Sequence, residues 1–394
     1  MIDTKTISRI EHFVQNKIND FAPTISPAPK NLERKEVESL YEAIEYFLSH
    51  QVNELLIQKK YMGSYCSIYL KRNFEETYFV SRNGHLINYI DLSKAKEKLQ
   101  SLHSKMVEKY PAFETMIIAS ELLPWSAMGK GLIDREYQGY LDAHKTHFEY
   151  LSNSNLYQKI ADVKLSHDFL EFKKDKSEMK ESELKKKYKS HILRQYHALD
   201  KMKIIDLDLQ KKSLDISKQQ IDHFGKEDSI EFKPFNILKI VNQDGSECIP
   251  NDNLSFRDVN SDAFLHLKFD EKNKEENIEK AYSFFNQLTS ENEEGIMIKP
   301  AQSYINGLVP CFKVRNNNYL TMIYGVNFAN DYEYYLSKRN IHRKMEQSII
   351  DWKINYEMLQ LEYKDIHSEN YLMKLFVLKR IEQEDIENTL DKRL

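Results

Sequence analysis

Glycine is scarce in this chain: 10 residues in 394, against the roughly 7% usual for a soluble protein. No G-x-G-x-x-G and no G-x-x-x-x-G-K-[ST] occurs, which excludes dinucleotide-binding and Walker-type phosphate loops. Cysteine is scarcer still. Cys66, Cys248 and Cys311 are odd in number, far apart and free of any C-x-x-C spacing. That excludes a disulfide framework or a structural zinc site and fits a reducing compartment. Neither charge is in large excess, with 57 basic against 61 acidic side chains and a net charge of −4. An overall basic coat is therefore excluded, leaving only a local basic groove for a nucleic acid. No apolar run approaches the roughly 20 residues of a membrane span, and Met1-Ile2-Asp3-Thr4-Lys5 has no signal-peptide shape. The expectation is a soluble cytoplasmic protein with no membrane partner.

What is present suits a folded chain of two or three modules: 41% hydrophobic and 12% aromatic residues. Pro23, Pro27 and Pro29 read as an extended linker after a short N-terminal helix. From Glu33, the spacing of Val37, Leu40, Tyr41, Ile44, Phe47 and Leu48 predicts an amphipathic helix. Residues 55–57, 66–70 and 77–80 read as antiparallel strands, with Arg82-Asn83-Gly84 as a hairpin turn. Residues 115–123 form a further strand stopped by Pro124. Residues 135–225 are long, polar and helical, and 173–191 hold eight lysines against four acids, which reads as a solvated helix face, with a basic surface for a nucleic-acid backbone as the alternative. Strands follow at 230–241, 263–269, 295–299, 311–315 and 319–324, with a helix near 275–288. Past Tyr332 the chain is helical. There Met345, Ile349, Trp352, Tyr356 and Leu359 form a packing seam. His144 and His147 share a helix face but lack a third ligand, so they are read as surface residues.

The segment with chemistry in it is Lys60-Tyr61-Met62-Gly63-Ser64. A lysine ending an apolar strand, with glycine three residues later, presents an amine where a turn lets phosphate approach. Alone, K-x-x-G is a common chance pattern, and most such lysines simply face solvent. The order of further segments is what gives it weight. Glu121 closes a strand and offers a carboxylate to a ribose hydroxyl; Phe235 offers a ring to a purine. Glu294-Gly295 precedes a strand on which Gly295, Met297 and Lys299 face one way. Lys313 and Arg315 share one face of the next strand.

This ordered set resembles the covalent nucleotidyltransferase superfamily of ATP-dependent DNA and RNA ligases and mRNA capping enzymes. The local text of 60–64, 121–127, 234–238, 294–300 and 319–325 resembles, more narrowly, the ligase domain of the bacterial RNA-repair polynucleotide kinase-phosphatase. The resemblance spans about residues 54–360. It implies an α+β fold with an antiparallel-sheet, ATP-grasp-like nucleotidyltransferase core. The implied layout is an N-terminal helical arm and linker (1–50), a core in two parts (51–135 and 229–332), a helical insertion (136–228) and a C-terminal helical module (333–394).

The implied activity is ATP-dependent RNA ligation through lysyl-AMP, with Lys60 as nucleophile. Its pKa is expected to be lowered by Lys299 and Lys313 nearby. Arg82, Glu121, Phe235, Lys299, Lys313 and Arg315 are expected to hold ATP or AMP, and Glu294 to hold Mg²⁺ or Mn²⁺. The implied partners are RNA with broken ends, tRNA above all, a separate polynucleotide kinase-phosphatase and an RNA 3′-terminal 2′-O-methyltransferase, contacted through the insertion and the seam. Where the family has arginine after Gly-Ser, this chain has Tyr65 and Cys66, and Arg82 is expected to take a related role. A DNA ligase, a capping guanylyltransferase or an adenylyl-binding scaffold subunit with weak or partner-dependent activity stays open as an alternative.

Overall fold

The computed structural model describes residues 3–128, 136–224 and 230–384. The expected boundaries at 135/136 and 228/229, and the last ten residues of the C-terminal module, lie outside the described residues.

Runs of β-branched and aromatic residues form strands, and polar segments of helical period separate them. Before the insertion come α1 (Thr4–Gln15), β1 (Ser26–Pro27), α2 (Leu40–Ser49), β2 (Glu54–Lys60), β3 (Ser64–Lys71), β4 (Tyr78–Ser81), α3 (Ser93–Lys109) and β5 (Phe113–Leu123). The insertion holds α4 (Gln138–Ser154), α5 (Leu156–Leu165), α6 (His167–Glu178), α7 (Glu181–Lys187), α8 (Ser190–Lys201) and α9 (Leu207–Phe224). After it come β6 (Glu231–Asn242), β7 (Glu247–Cys248), α10 (Phe256–Val259), β8 (Phe264–Lys268), α11 (Lys274–Ser290), β9 (Gly295–Pro300) and β10 (Phe312–Arg315). The chain closes with α12 (Asn317–Tyr324), α13 (Tyr332–Lys338), α14 (His342–Gln360) and α15 (Tyr371–Glu382).

Among the described residues the strands form two five-stranded sheets, β1-β10-β9-β2-β8 and β4-β3-β5-β6-β7. Every pairing is antiparallel except β1 with β10. The first sheet packs on α2 and α11 through Ile44, Phe47, Ile57, Ile298 and Phe312. The second is covered on both faces. Alternation along β3 sends Cys66, Ile68 and Leu70 toward α3, and Tyr69 toward α1, α14 and α15. Burial on both sides explains why its strands read as continuous apolar runs.

Three expectations change. The helix expected from Glu33 starts at Leu40, where the Ser39 side chain accepts from the Glu42 N–H; a cap of this kind contributes about 1 kcal/mol. Ahead of it, Asn31 and Glu36 exchange backbone hydrogen bonds and hold the chain in a turn. Residues 319–324 are a helix rather than a strand. Asn316 caps α12 by accepting from the Tyr319 N–H, and Gly325, at φ +96°, ends it. Five consecutive buried residues, Tyr319 to Ile323, leave no polar face from which to read a period. The proline segment is more than a linker: Ser26 and Pro27 pair with Phe312 and Lys313 as the edge strand β1.

The C-terminal seam is occupied from within the chain. Met345 and Ile349 pack on the first sheet's cluster, Trp352 and Leu359 on the second's, and Tyr356 stacks on Tyr304 at 3.9 Å between ring centres. Fully burying a side chain such as Leu359 stabilises by about 1.5–3 kcal/mol, whereas Met345, Ile349, Trp352 and Tyr356 stay part-exposed. All eight lysines of 173–191 are exposed, as read. His147 is exposed, whereas His144 is half-buried with its ring against Tyr140. No helix of the described residues is long and apolar enough to cross a membrane.

Candidate active site

Lys60 is the last residue of β2, paired in register with Gly295 at the start of β9. Both motif glycines are needed where they stand. A Cβ at Gly63 would fall 2.6 Å from Glu121 Cγ and from the Leu122 carbonyl oxygen, so only glycine lets the turn after Lys60 close on the end of β5. A Cβ at Gly295 would collide with the Val314 carbonyl on β10. The pattern K-x-x-G with E-G-x-x-x-K is thus the signature of two close backbone approaches that draw β2, β5, β9 and β10 together.

All eight residues singled out in the sequence line one cavity of about 990 Å³: Lys60, Arg82, Glu121, Phe235, Glu294, Lys299, Lys313 and Arg315. Lys60 Nζ donates to Glu294 Oε2 at 2.8 Å. The acidic turn that carries Glu294 is pinned on its other side. Asn316 donates from its backbone N–H to the Glu294 carbonyl (3.1 Å) and from Nδ2 to the Glu293 carbonyl (2.6 Å). Lys59, facing away from Lys60, pairs with Glu293 at 2.6 Å. The Tyr61 hydroxyl donates to Asp262 (2.6 Å) and accepts from Asn260, whose amide also reaches the Pro234 carbonyl (2.8 Å). This chain of bonds fixes the lysine turn against Phe235. Lys299 Nζ lies 5.8 Å from the centre of the Phe235 ring.

The electrostatics divide the cations into two kinds. Burial lowers the Lys299 ammonium to about 8. Burial, then the Arg315 guanidinium, push Lys313 well below the ordinary lysine range. Lys60 meets the cavity in an ion pair with Glu294. Glu121 keeps a partly exposed side chain, yet its surroundings are dense enough that desolvation raises its carboxyl to about 7, with Lys60 opposing and Glu294 adding to the shift.

Arg315 reaches the cavity wall with its guanidinium held by Glu38, from Nε at 3.1 Å and Nη2 at 2.5 Å. Arg339 donates to the same carboxylate at 2.5 Å. Burial pushes the Glu38 carboxyl up, but the two guanidiniums outweigh it and hold the group at about 2. Position 65 carries a tie between segments: the Tyr65 and Ser67 hydroxyls both donate to buried Asp20, whose other oxygen accepts from Asn355 at 2.9 Å. Arg82, on the exposed turn after β4, lines the cavity opposite.

Sequence reasoning missed Gln58. It is 3% exposed, lines the cavity, and its Nε2 finds no acceptor among the described residues. The signal was there: Gln58 stands two residues before Lys60 on one strand, so both share a face.

A family model described as PNKP adenylyltransferase domain, ligase domain, matches residues 10–229 and 251–370. A chain in the structure of the Pnkp1/Rnl/Hen1 RNA repair complex is 46% identical, with complete coverage of both chains and a TM-score of 0.91. A chain in a second structure of the Pnkp1/Rnl/Hen1 complex is 45% identical over the same full lengths, with a TM-score of 0.90. A search of curated proteins finds no match.

Proposed function

From a chain that belongs to the PNKP adenylyltransferase, or ligase, domain family, we propose an ATP-dependent RNA ligase that works through lysyl-AMP. The observation that supports this reading is the convergence of all eight residues on one cavity with the Lys60 amine at its wall. In the first step Lys60 Nζ attacks the α-phosphorus of ATP. A P–N bond forms, the bond to pyrophosphate breaks, and the proton from the amine passes toward Glu294, 2.8 Å away. An RNA 5′-phosphate oxygen then attacks the same phosphorus and releases the lysine. Finally a 3′-hydroxyl attacks the activated 5′-phosphate, AMP leaves, and the strand is sealed.

Phe235 stacks on the base, Glu121 holds the ribose, and Arg82, Lys299 and Lys313 face the phosphates. Burial has stripped Lys299 and Lys313 of water in advance, so the charge growing on phosphate oxygens meets cations that need no reorganisation. Arg315, fixed by Glu38, keeps the Lys313 strand in place and adds positive potential. Mg²⁺ or Mn²⁺, when bound, supplies further neutralisation of the phosphate oxygens. A single carboxylate, Glu294, facing a substrate rich in phosphate fits the habit of Mg²⁺, which pairs few protein ligands with phosphates and water.

The same reading makes the chain one subunit of an RNA-repair assembly, as its relatives are in the Pnkp1/Rnl/Hen1 complex. It would join only ends that a kinase-phosphatase has converted to 5′-phosphate and 3′-hydroxyl, alongside a 2′-O-methyltransferase. The test is to incubate the purified chain with α-labelled ATP and Mg²⁺. An acid-labile, alkali-stable covalent label that GTP does not give, and tRNA nicks left open until the kinase-phosphatase is added, are the expected results. A chain that takes no label, or seals unprocessed ends alone, contradicts the proposal.

Two smaller effects follow. Gln58 Nε2 is a donor awaiting an acceptor on the base edge, so Gln58→Leu should raise the KM for ATP about tenfold with little change in kcat. An unchanged KM would remove Gln58 from the base site. Glu121 titrates near 7, and its ionised form is the better acceptor for ribose. Ionisation grows as pH rises, while Lys299, lowered to about 8, loses charge over the same range. The part that Glu121 contributes, read by calorimetry as the ratio of native to Glu121→Gln affinity for AMP, should therefore climb up to about tenfold from pH 6 to 8; a constant ratio removes Glu121 from the ribose site.

A further inference from the structure

The cavity is larger than the nucleotide chemistry needs. Part of its wall, an outer lobe, is formed by the segment Ala22 to Thr24, the β4 turn at Asn83, and Trp352 and Arg380 from α14 and α15. None of these helical residues was expected at the site.

Two features make this lobe unlike an ordinary crevice. Arg380 is 6% exposed, and its Nε has no hydrogen-bond partner among the described residues. Its other contacts are long: Nη1 lies 3.4 Å from Asp351 and Nη2 lies 3.4 Å from the Ala22 carbonyl. Asp351 is meanwhile well served elsewhere, by Thr24 at 2.9 and 2.7 Å and by Gln347 at 2.7 Å. Trp352 Nε1, on the same wall, is also buried without a partner among the described residues. Arginine and indole nitrogens can only donate. A lobe that presents two orphan donors, one of them cationic, is completed by an acceptor, and by an anion rather than a neutral group. Glu384, the other carboxylate on this wall, is already taken by a two-bond pair with Arg9 at 2.7 and 2.8 Å.

We propose that the outer lobe is a second oxyanion subsite, in which Arg380 and Trp352 take a phosphoryl group while Lys60, Lys299 and Lys313 hold the α-phosphate. A small swing of the guanidinium trades its two long contacts for a forked pair of bonds to phosphate oxygens. The phosphoryl group comes either from the terminal phosphates of ATP or from the 5′-phosphate of the RNA to be joined. The proposal rests on the ligase reading for its substrates, and its test does not depend on catalysis.

The experiment measures binding by the full chain without turnover, using inorganic pyrophosphate, a 5′-phosphorylated RNA 12-mer, its 5′-hydroxyl counterpart and AMP as probes. Arg380→Lys keeps a charge beside Asp351 and loses the fork; Asn83→Asp sets a carboxylate at the lobe on an exposed turn. Arg380→Lys should weaken one anionic probe at least about tenfold, Asn83→Asp should weaken the same probe less but more than it weakens AMP, and AMP should bind Arg380→Lys as it binds the native chain. A loss confined to pyrophosphate assigns the lobe to the tail of ATP. A loss confined to the 5′-phosphorylated RNA, with the 5′-hydroxyl RNA unaffected, assigns it to the strand. If Arg380→Lys melts early, Asn83→Asp carries the test alone. Unchanged affinity for both anions in the folded variants overturns the subsite, whereas failure of the native chain to bind AMP overturns the ligase reading instead.

Discussion

Lys60→Ala is expected to give no covalent AMP at all, at any ATP concentration. On the proposed mechanism the Lys60 amine is the nucleophile. Lys59 is engaged in its pair with Glu293, and Lys299 and Lys313 stand on β9 and β10 rather than at the end of β2. Lys60→Arg should fail equally, because a guanidinium stays protonated and cannot attack. The fold should survive both changes, since Lys60 is part-exposed and contributes one ion pair at the cavity wall. Retained label in either variant, with an unchanged melting temperature, would move the nucleophile to another residue.

Lys299→Ala and Lys313→Ala should each slow adenylation by about 10²–10³, the usual effect of removing one preorganised group that stabilises a developing anion. What separates this from damage to the fold is the sign of the stability change. Both ammoniums are buried at a cost, and Lys313 is further disfavoured by Arg315. Removing either relieves that cost in the empty protein, so the melting temperature should hold or rise while the rate collapses, a trade of stability for activity built into the site. Stopped-flow or quenched single-turnover labelling reads the rate, and a thermal melt reads the stability. Normal rates in both variants place the phosphate site elsewhere; a fall in rate that tracks a fall in melting temperature makes these lysines structural.

The candidate site was legible because its parts are local. K-x-x-G and E-G-x-x-x-K are each written within a few residues, although the backbones their glycines approach lie at Leu122 and Val314, and period two put Lys299 with Met297 and Lys313 with Arg315. What escaped was set by contacts across the chain. Glu38, which holds Arg315, lies 277 residues away from it, and nothing in its own surroundings marks it as the partner of a buried guanidinium. Residues 319–324 lost their helical period through burial on every side. The proline segment gave no hint that it edges a sheet, because a two-residue strand has no alternation to read. The seam on α14 was visible as a seam, but sequence spacing cannot say whether the surface that fills it belongs to the same chain.

The parallel pairing of β1 with β10 sets an order of events at the ribosome. Ser26 and Phe312 stand 286 positions apart, as do Pro27 and Lys313. At about 5–20 residues per second, β1 leaves the tunnel roughly 15–60 s before its partner exists. Asp20 likewise waits for Asn355, and Arg9 for Glu384. Lys60, its turn and Arg82 are made early, the buried lysines of β9 and β10 come late, and the edge that braces them is supplied by a segment made still earlier. A polypeptide whose translation stalls before Lys299 therefore holds Lys60 in a cavity that lacks its two buried lysines, and on the proposed mechanism an unfinished product would not trap ATP.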